Sequence, residues 1–190
     1  MYELAKHGDL LAWYSKHSPL HENDIRNIIY LIVSAIKYCH DLNIVHRDIR
    51  LENILVFSET ADDIKLSGFY CAVKSESRDI TGISGTPPIY RAPEALSTDI
   101  RYGREVDMWA IGAVTYILFM GNHPFSDSDI HRRNFVISSD KLQHISNDAK
   151  AFILALLDVN VETRYFNMYY YYYYYYYYYY YYYCYCYYYY

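Results

Sequence analysis

Apolar residues Ile25, Ile28, Ile29, Ile32 and Ile36 recur at helical spacing, while Glu22, Asp24, Arg26 and Lys37 fall mainly off that stripe. The pattern predicts a helix with one buried face, introduced by Pro19 and running to about His40. Before it, the first 20 residues are mixed, with a short helix predicted around 9–16. From 44 to 74 the period shortens to β-type runs, "NILVF" and "IKLSGF", separated by a polar turn at 58–63. Residues 74–91 are rich in Ser, Thr, Gly and Pro and lack periodicity, which predicts a loop of about 18 residues; loops that long are usually functional or disordered. Helical patterning returns at 92–97, 103–120 and 146–158. Within it, "MWAIGAVTYILFM" at 108–120 is strongly apolar but short of the ~20 residues that cross a bilayer. Asp107 precedes it and Gly121, Asn122 and Pro124 end it, so a helix buried in a protein core is expected.

Composition divides the chain in two. Residues 1–168 carry enough Ile, Leu and Val for a packed core of one domain, whereas 169–190 is Tyr apart from Cys184 and Cys186. A translated trinucleotide repeat or a mis-spliced gene explains that tail better than a sticky, aggregation-prone segment. A membrane anchor explains it least, because every Tyr hydroxyl would need a partner in lipid. The formal charge of −5 supplies no basic footprint for nucleic acid. Cys39, Cys71, Cys184 and Cys186 lack metal-finger spacing, and reduced thiols of an intracellular, cytoplasmic protein are expected.

The candidate chemistry lies in "IVHRDIRLENIL" at 44–55, with an aspartate, an arginine and an asparagine within six residues. Taken alone, "HRD" could equally be a charge cluster on the surface after a helix. Three further motifs follow in order: "GTPPIYRAPE", "VDMWAIG" and "SNDAKAFILALLDVNVETR". With these four, residues 1–168 resemble the large lobe of a eukaryotic protein kinase, of the serine/threonine type and the calcium/calmodulin-dependent-kinase-like group. The resemblance implies an α+β, protein kinase-like fold that is mainly helical in the part present. It also implies transfer of the γ-phosphate of ATP to protein Ser or Thr, with Mg²⁺ as the metal.

Site roles follow from the same resemblance. Asp48 would accept the proton of the attacking hydroxyl, and Asn53 would hold one Mg²⁺. Arg50 stands where a lysine usually steadies the γ-phosphate, and Thr86 would bond the catalytic Asp48. Glu3 and Ala5 would offer backbone groups to adenine, Asp9 a carboxylate to the ribose, and Leu55 the floor under the purine; a solvent-exposed strand end before a helix accounts for that segment nearly as well. Arg47 would reach a phosphate on the loop, where Ser75, Ser77, Thr81 and Ser84 are available; none is singled out by spacing, and solvated loop hydroxyls are the favoured reading of the four. Structural roles are implied for His46 and for Phe69, which keeps its packing position; Glu94 would pair with Arg164, and Asp107 would accept backbone N–H groups near His46 and Arg47.

The departures are as informative. The metal-holding Asp-Phe-Gly triplet of such kinases reads Gly68-Phe69-Tyr70. No Gly-rich nucleotide loop and no ATP-positioning lysine on an N-terminal strand is found, and the chain begins at the equivalent of the hinge between the lobes. Val161 replaces a proline, and the Tyr run stands in place of a final helix. The expectation is therefore a truncated, catalytically impaired kinase domain, for which ATP and Mg²⁺ binding is doubtful. The alternatives are a pseudokinase that binds a protein partner, or the product of a degraded gene. A protein substrate or partner is expected, with no nucleic acid and no membrane; the oligomeric state, the substrate and the upstream regulator are not legible.

Overall fold

The computed structural model of the chain describes residues 3–82 and 85–164. Helix α1 (Leu10–His17) starts where the Asp9 carboxylate accepts a hydrogen bond from the Ala12 N–H at 2.8 Å, satisfying one of the donors a helix start leaves open. It buries Leu10 and Trp13. Helix α2 (Glu22–Asp41) buries Ile25, Ile28, Ile29, Ile32, Val33 and Ile36 along one face, the stripe its period predicts. Helix α3 (Glu105–Met120) is enclosed on every side, with all residues from Glu105 to Leu118 buried. A helix that is apolar all round must be the centre of something. Here α2 packs on it, and so does α5 (Asn147–Leu156). Helix α4 (Asp127–Arg132) is short and opens on a capping box between Ser126 and Asp129. Trp109 of α3 stacks on Phe125 and meets Phe135 edge-on, with centroids 5.5 and 5.4 Å apart, so the connections flanking α4 are tied to the centre by ring contacts.

The β structure is two antiparallel pairs. Strand β1 (Ile44–Val45) pairs with β4 (Val73–Lys74), and β2 (Ile54–Val56) pairs with β3 (Ile64–Leu66) in the register Ile54↔Leu66, Val56↔Ile64. The strands are shorter than the apolar runs that announced them. The turn at 58–63 is fastened by Ser58, whose hydroxyl accepts from the N–H groups of Asp62 and Asp63. The helical signal at 92–97 becomes a 3₁₀ turn at Pro93–Leu96, closed by Ala95 N–H to the Ala92 carbonyl. Pro93 takes the first position of the turn, where a helix start needs no N–H. The nested pairing brings two connections side by side: residues 46–53, between β1 and β2, and residues 67–72, between β3 and β4. Ser84 and the Tyr-rich run from 169 lie outside the described residues.

Candidate active site

Backbone geometry at the end of β1 fixes everything that follows. Arg47 has a positive φ of 66°, a conformation that costs a side-chain-bearing residue energy and persists only when its surroundings enforce it. The enforcement comes from Asp107 in the first turn of α3, which is 1 % exposed. Its two oxygens accept from His46 N–H at 2.9 Å and Arg47 N–H at 2.8 Å, and His40 Nε2 donates to one of them at 2.8 Å. His40 was not singled out in the sequence. Its position four residues after Ile36, on the same buried stripe of α2, was the available signal.

The His46 ring joins the two connections. Nε2 faces the Ser67 carbonyl at 2.9 Å, which can only accept, so the proton sits on Nε2. Nδ1 is then free to accept the Asp48 N–H at 3.2 Å. Phe69 packs edge-on against the same ring at a centroid distance of 4.5 Å.

Asp48 and Asn53 meet directly. The Asn53 amide nitrogen donates to the Asp48 backbone carbonyl at 2.8 Å and to its carboxylate Oδ2 at 2.7 Å. Arg50 Nε lies 3.4 Å from the other carboxylate oxygen, close enough for charge attraction but not aligned as a hydrogen bond. Asn53 is held in turn by Ser67, whose N–H and hydroxyl both donate to the Asn53 carbonyl, at 2.8 and 3.0 Å. Asp48, Arg50 and Asn53 are thus one cluster beside Gly68.

Gly68 takes the left-handed conformation, φ 80° and ψ 31°. A Cβ built there would stand 2.5 Å from both the Cγ and the Nδ2 of Asn53 and 2.7 Å from its Oδ1. The space a carboxylate would need next to Asn53 is filled by the Asn53 amide. A divalent cation such as Mg²⁺ takes oxygen ligands in near-octahedral order, commonly with carboxylates among them. At this point the chain offers Asn53 Oδ1 and the Asp48 carboxylate, the latter already engaged by Asn53 and attracted by Arg50. Among the described residues no group of three or more His, Cys, Asp and Glu could hold a metal ion. The donor set does not fit a magnesium site of the usual kind.

Thr86 lies beside this cluster, and its hydroxyl donates to the Arg47 carbonyl, one residue before Asp48. Arg91 donates to the Thr86 carbonyl. Arg47, Thr86, Arg91 and Tyr102 line one cleft, with the Arg47 guanidinium carbon 5.8 Å from the Tyr102 ring centroid. Burial pulls the Arg91 guanidinium down from its ordinary value and pushes the Tyr102 hydroxyl up. Farther along, Arg164 is fully buried. It makes a fork with the Glu94 carboxylate at 2.6 and 3.2 Å, and its guanidinium carbon lies 4.9 Å from the Trp109 ring centroid.

The N-terminal candidates gather along the edge of β2. His7 N–H donates to the Val56 carbonyl at 3.2 Å and Val56 N–H to the Gly8 carbonyl at 2.9 Å, and Asp9 and Leu55 form an isolated bridge. Ala5 contributes its carbonyl to a turn with Gly8 N–H at 3.2 Å. Glu3 is exposed, and its side chain pairs with Lys65. One oxygen of Asp9 is committed to capping α1. Among the described residues no helix is long and apolar enough to cross a membrane.

The protein kinase domain model matches residues 1–169. The chain is 38 % identical over 174 residues to serine/threonine-protein kinase DCLK1 of Rattus norvegicus, covering 86 % of this chain and 40 % of that protein. It is 36 % identical over 171 residues to calcium/calmodulin-dependent protein kinase type 1 of Macrobrachium nipponense, covering 86 % and 49 %. To testis-specific serine/threonine-protein kinase 1 of Homo sapiens it is 36 % identical over 177 residues, covering 85 % and 46 %. The chain therefore spans half or less of the length of these relatives.

Proposed function

The chain belongs to the eukaryotic serine/threonine protein kinase family, and from that membership we propose that it is an impaired member, built around phosphoryl transfer from ATP to protein Ser or Thr. Residues 1–168 are the kinase domain assigned this role, in keeping with the span that the family model matches. Asp48 is the group that would orient and deprotonate an acceptor hydroxyl, and Arg50 the cation that would face the transferred phosphate. What supports this reading is that the Asn53 amide donates to the Asp48 carboxylate and the His46 ring accepts the Asp48 N–H. Ala5 and Leu55, on the edge of β2, would cradle a purine, with Asp9 beside the ribose.

The single observation that carries the impairment is Gly68. It brings no carboxylate to the place where the phosphates would be neutralised, and a Cβ there would crowd the Asn53 amide as it is now turned. Phosphoryl transfer depends almost wholly on positioning and charge neutralisation. Each 1.4 kcal/mol of lost transition-state stabilisation costs about tenfold in rate. Peptide phosphorylation by the purified chain with Mg-ATP is expected at the level of an Asp48→Asn control. Turnover well above that control would overturn the impaired reading.

A partner-binding role without catalysis has its own observation. Tyr70 is 99 % exposed and its neighbour Phe69 is 45 % exposed, which puts two large aromatic side chains in solvent beside the candidate site. Replacing Tyr70 with Ser is expected to weaken capture of a protein partner while leaving the melting temperature unchanged; equal capture by both forms would remove this reading.

A further inference from the structure

Among the described residues, Arg78 on the first half of the long loop pairs with two carboxylates. Arg78 Nε donates to Glu105 Oε1 at 2.5 Å, and its two terminal nitrogens grip the Glu162 carboxylate, one of them at 3.2 Å. Glu105 opens α3 and is 5 % exposed, and its second oxygen has no hydrogen-bond partner among the described residues. The nearby Arg164 guanidinium donates to the Glu105 backbone carbonyl but gives its fork to Glu94. Arg78 is thus the cation paired with a buried carboxylate, and its departure would leave that charge poorly compensated. Both carboxylates hold the Arg78 proton more tightly than usual.

Three further contacts fix the same stretch. Ile80 and Tyr102 exchange both backbone hydrogen bonds, at 3.2 and 3.0 Å. The Tyr102 hydroxyl donates to the Gly82 carbonyl at 2.8 Å, and Ser75 N–H donates to the Asn43 carbonyl at 2.8 Å. Gly103 makes the close approach possible: a Cβ there would lie 2.7 Å from Glu105 Oε2 and 3.0 Å from Arg78 Cγ.

We propose that Arg78 is a latch which docks residues 74–82 onto the helical body through Glu105 and Glu162, so that this half of the loop is set in place with no phosphate on it. A phosphate orders a loop by bringing negative charge to waiting arginines. Here the polarity is reversed, because the loop supplies the cation and the body supplies the anions. The inference rests on reading this loop as the segment that flanks the phosphoryl-transfer site, and it adds how that segment is held.

Hydrogen exchange by mass spectrometry on the full chain, dephosphorylated and checked by intact mass, tests the latch. Peptides covering 75–82 should exchange slowly in the unsubstituted protein. In Arg78→Ala they should exchange at least tenfold faster, with α2 peptides unchanged. Gly103→Ala should loosen the same peptides with every charge intact, and Arg78→Lys should fall between. If Arg78→Ala also loosens α2, the Gly103→Ala and Arg78→Lys proteins decide the matter. Rates in the 75–82 peptides equal to the unsubstituted protein in both Arg78→Ala and Gly103→Ala overturn the latch, and so does unprotected exchange of that stretch in the dephosphorylated parent. The readout is independent of turnover, so its failure leaves the reaction assignment standing, and the reverse also holds.

Discussion

An aspartate introduced at Gly68 would meet two obstacles at once. The backbone there is left-handed, which disfavours any residue with a Cβ, and the Asn53 amide occupies the space the new side chain would enter. Gly68→Asp is therefore expected to lower stability by about 1–3 kcal/mol in urea unfolding, and to leave peptide phosphorylation at background. Pairing it with Asn53→Ser should return part of the lost stability, because the two positions are in contact and their effects do not add. The sequence shows that Gly68 is not a carboxylate. It does not show that Asn53 has closed over the position, since that depends on which way one amide turns.

Helices α1, α4 and α5 begin where a small polar side chain accepts from an open N–H group, whereas α2 and α3 start without such a cap, and the start of α5 doubles as a joint between elements. Ser146 accepts from the Ala149 N–H at 3.1 Å and donates to Glu22 Oε1 at 2.5 Å, so the cap of α5 is also a tie to the first turn of α2. Ser146→Ala is expected to cost about 1–2 kcal/mol, read as a lower urea midpoint with unchanged slope; an unshifted midpoint would show that the joint carries no load. The tie to Glu22 has no local signal in the sequence, because Glu22 lies 124 residues away in the chain. Apolar runs overstate strand length for a related reason: they continue past the point where a neighbouring strand ends, as "NILVF" does beyond Val56.

At the scale of the molecule, the Glu94–Arg164 pair joins the end of the long loop to the segment after α5, across 70 residues. Arg164 is fully buried and its three nitrogens are all used, on Glu94, the Asp158 carbonyl and the Glu105 carbonyl. Glu94→Gln is expected to destabilise the chain by about 3–5 kcal/mol, because it strands a buried guanidinium. Replacing both partners with apolar residues of similar size should cost much less. Chemical denaturation of the three proteins checks this, and equal losses for single and double replacements would contradict it.

The buried face of α2, the enclosed α3 and the identity of the family were all set by the sequence itself. Periodicity and ordered motifs are local properties, and local properties survive in one dimension. Tertiary structure alone decided what Asp107 does for Arg47, that Asn53 fills the place beside Gly68, and that Arg78 finds two carboxylates from separate parts of the chain. Each depends on atoms brought within a few ångströms by packing around α3, and no spacing along the chain encodes such a distance.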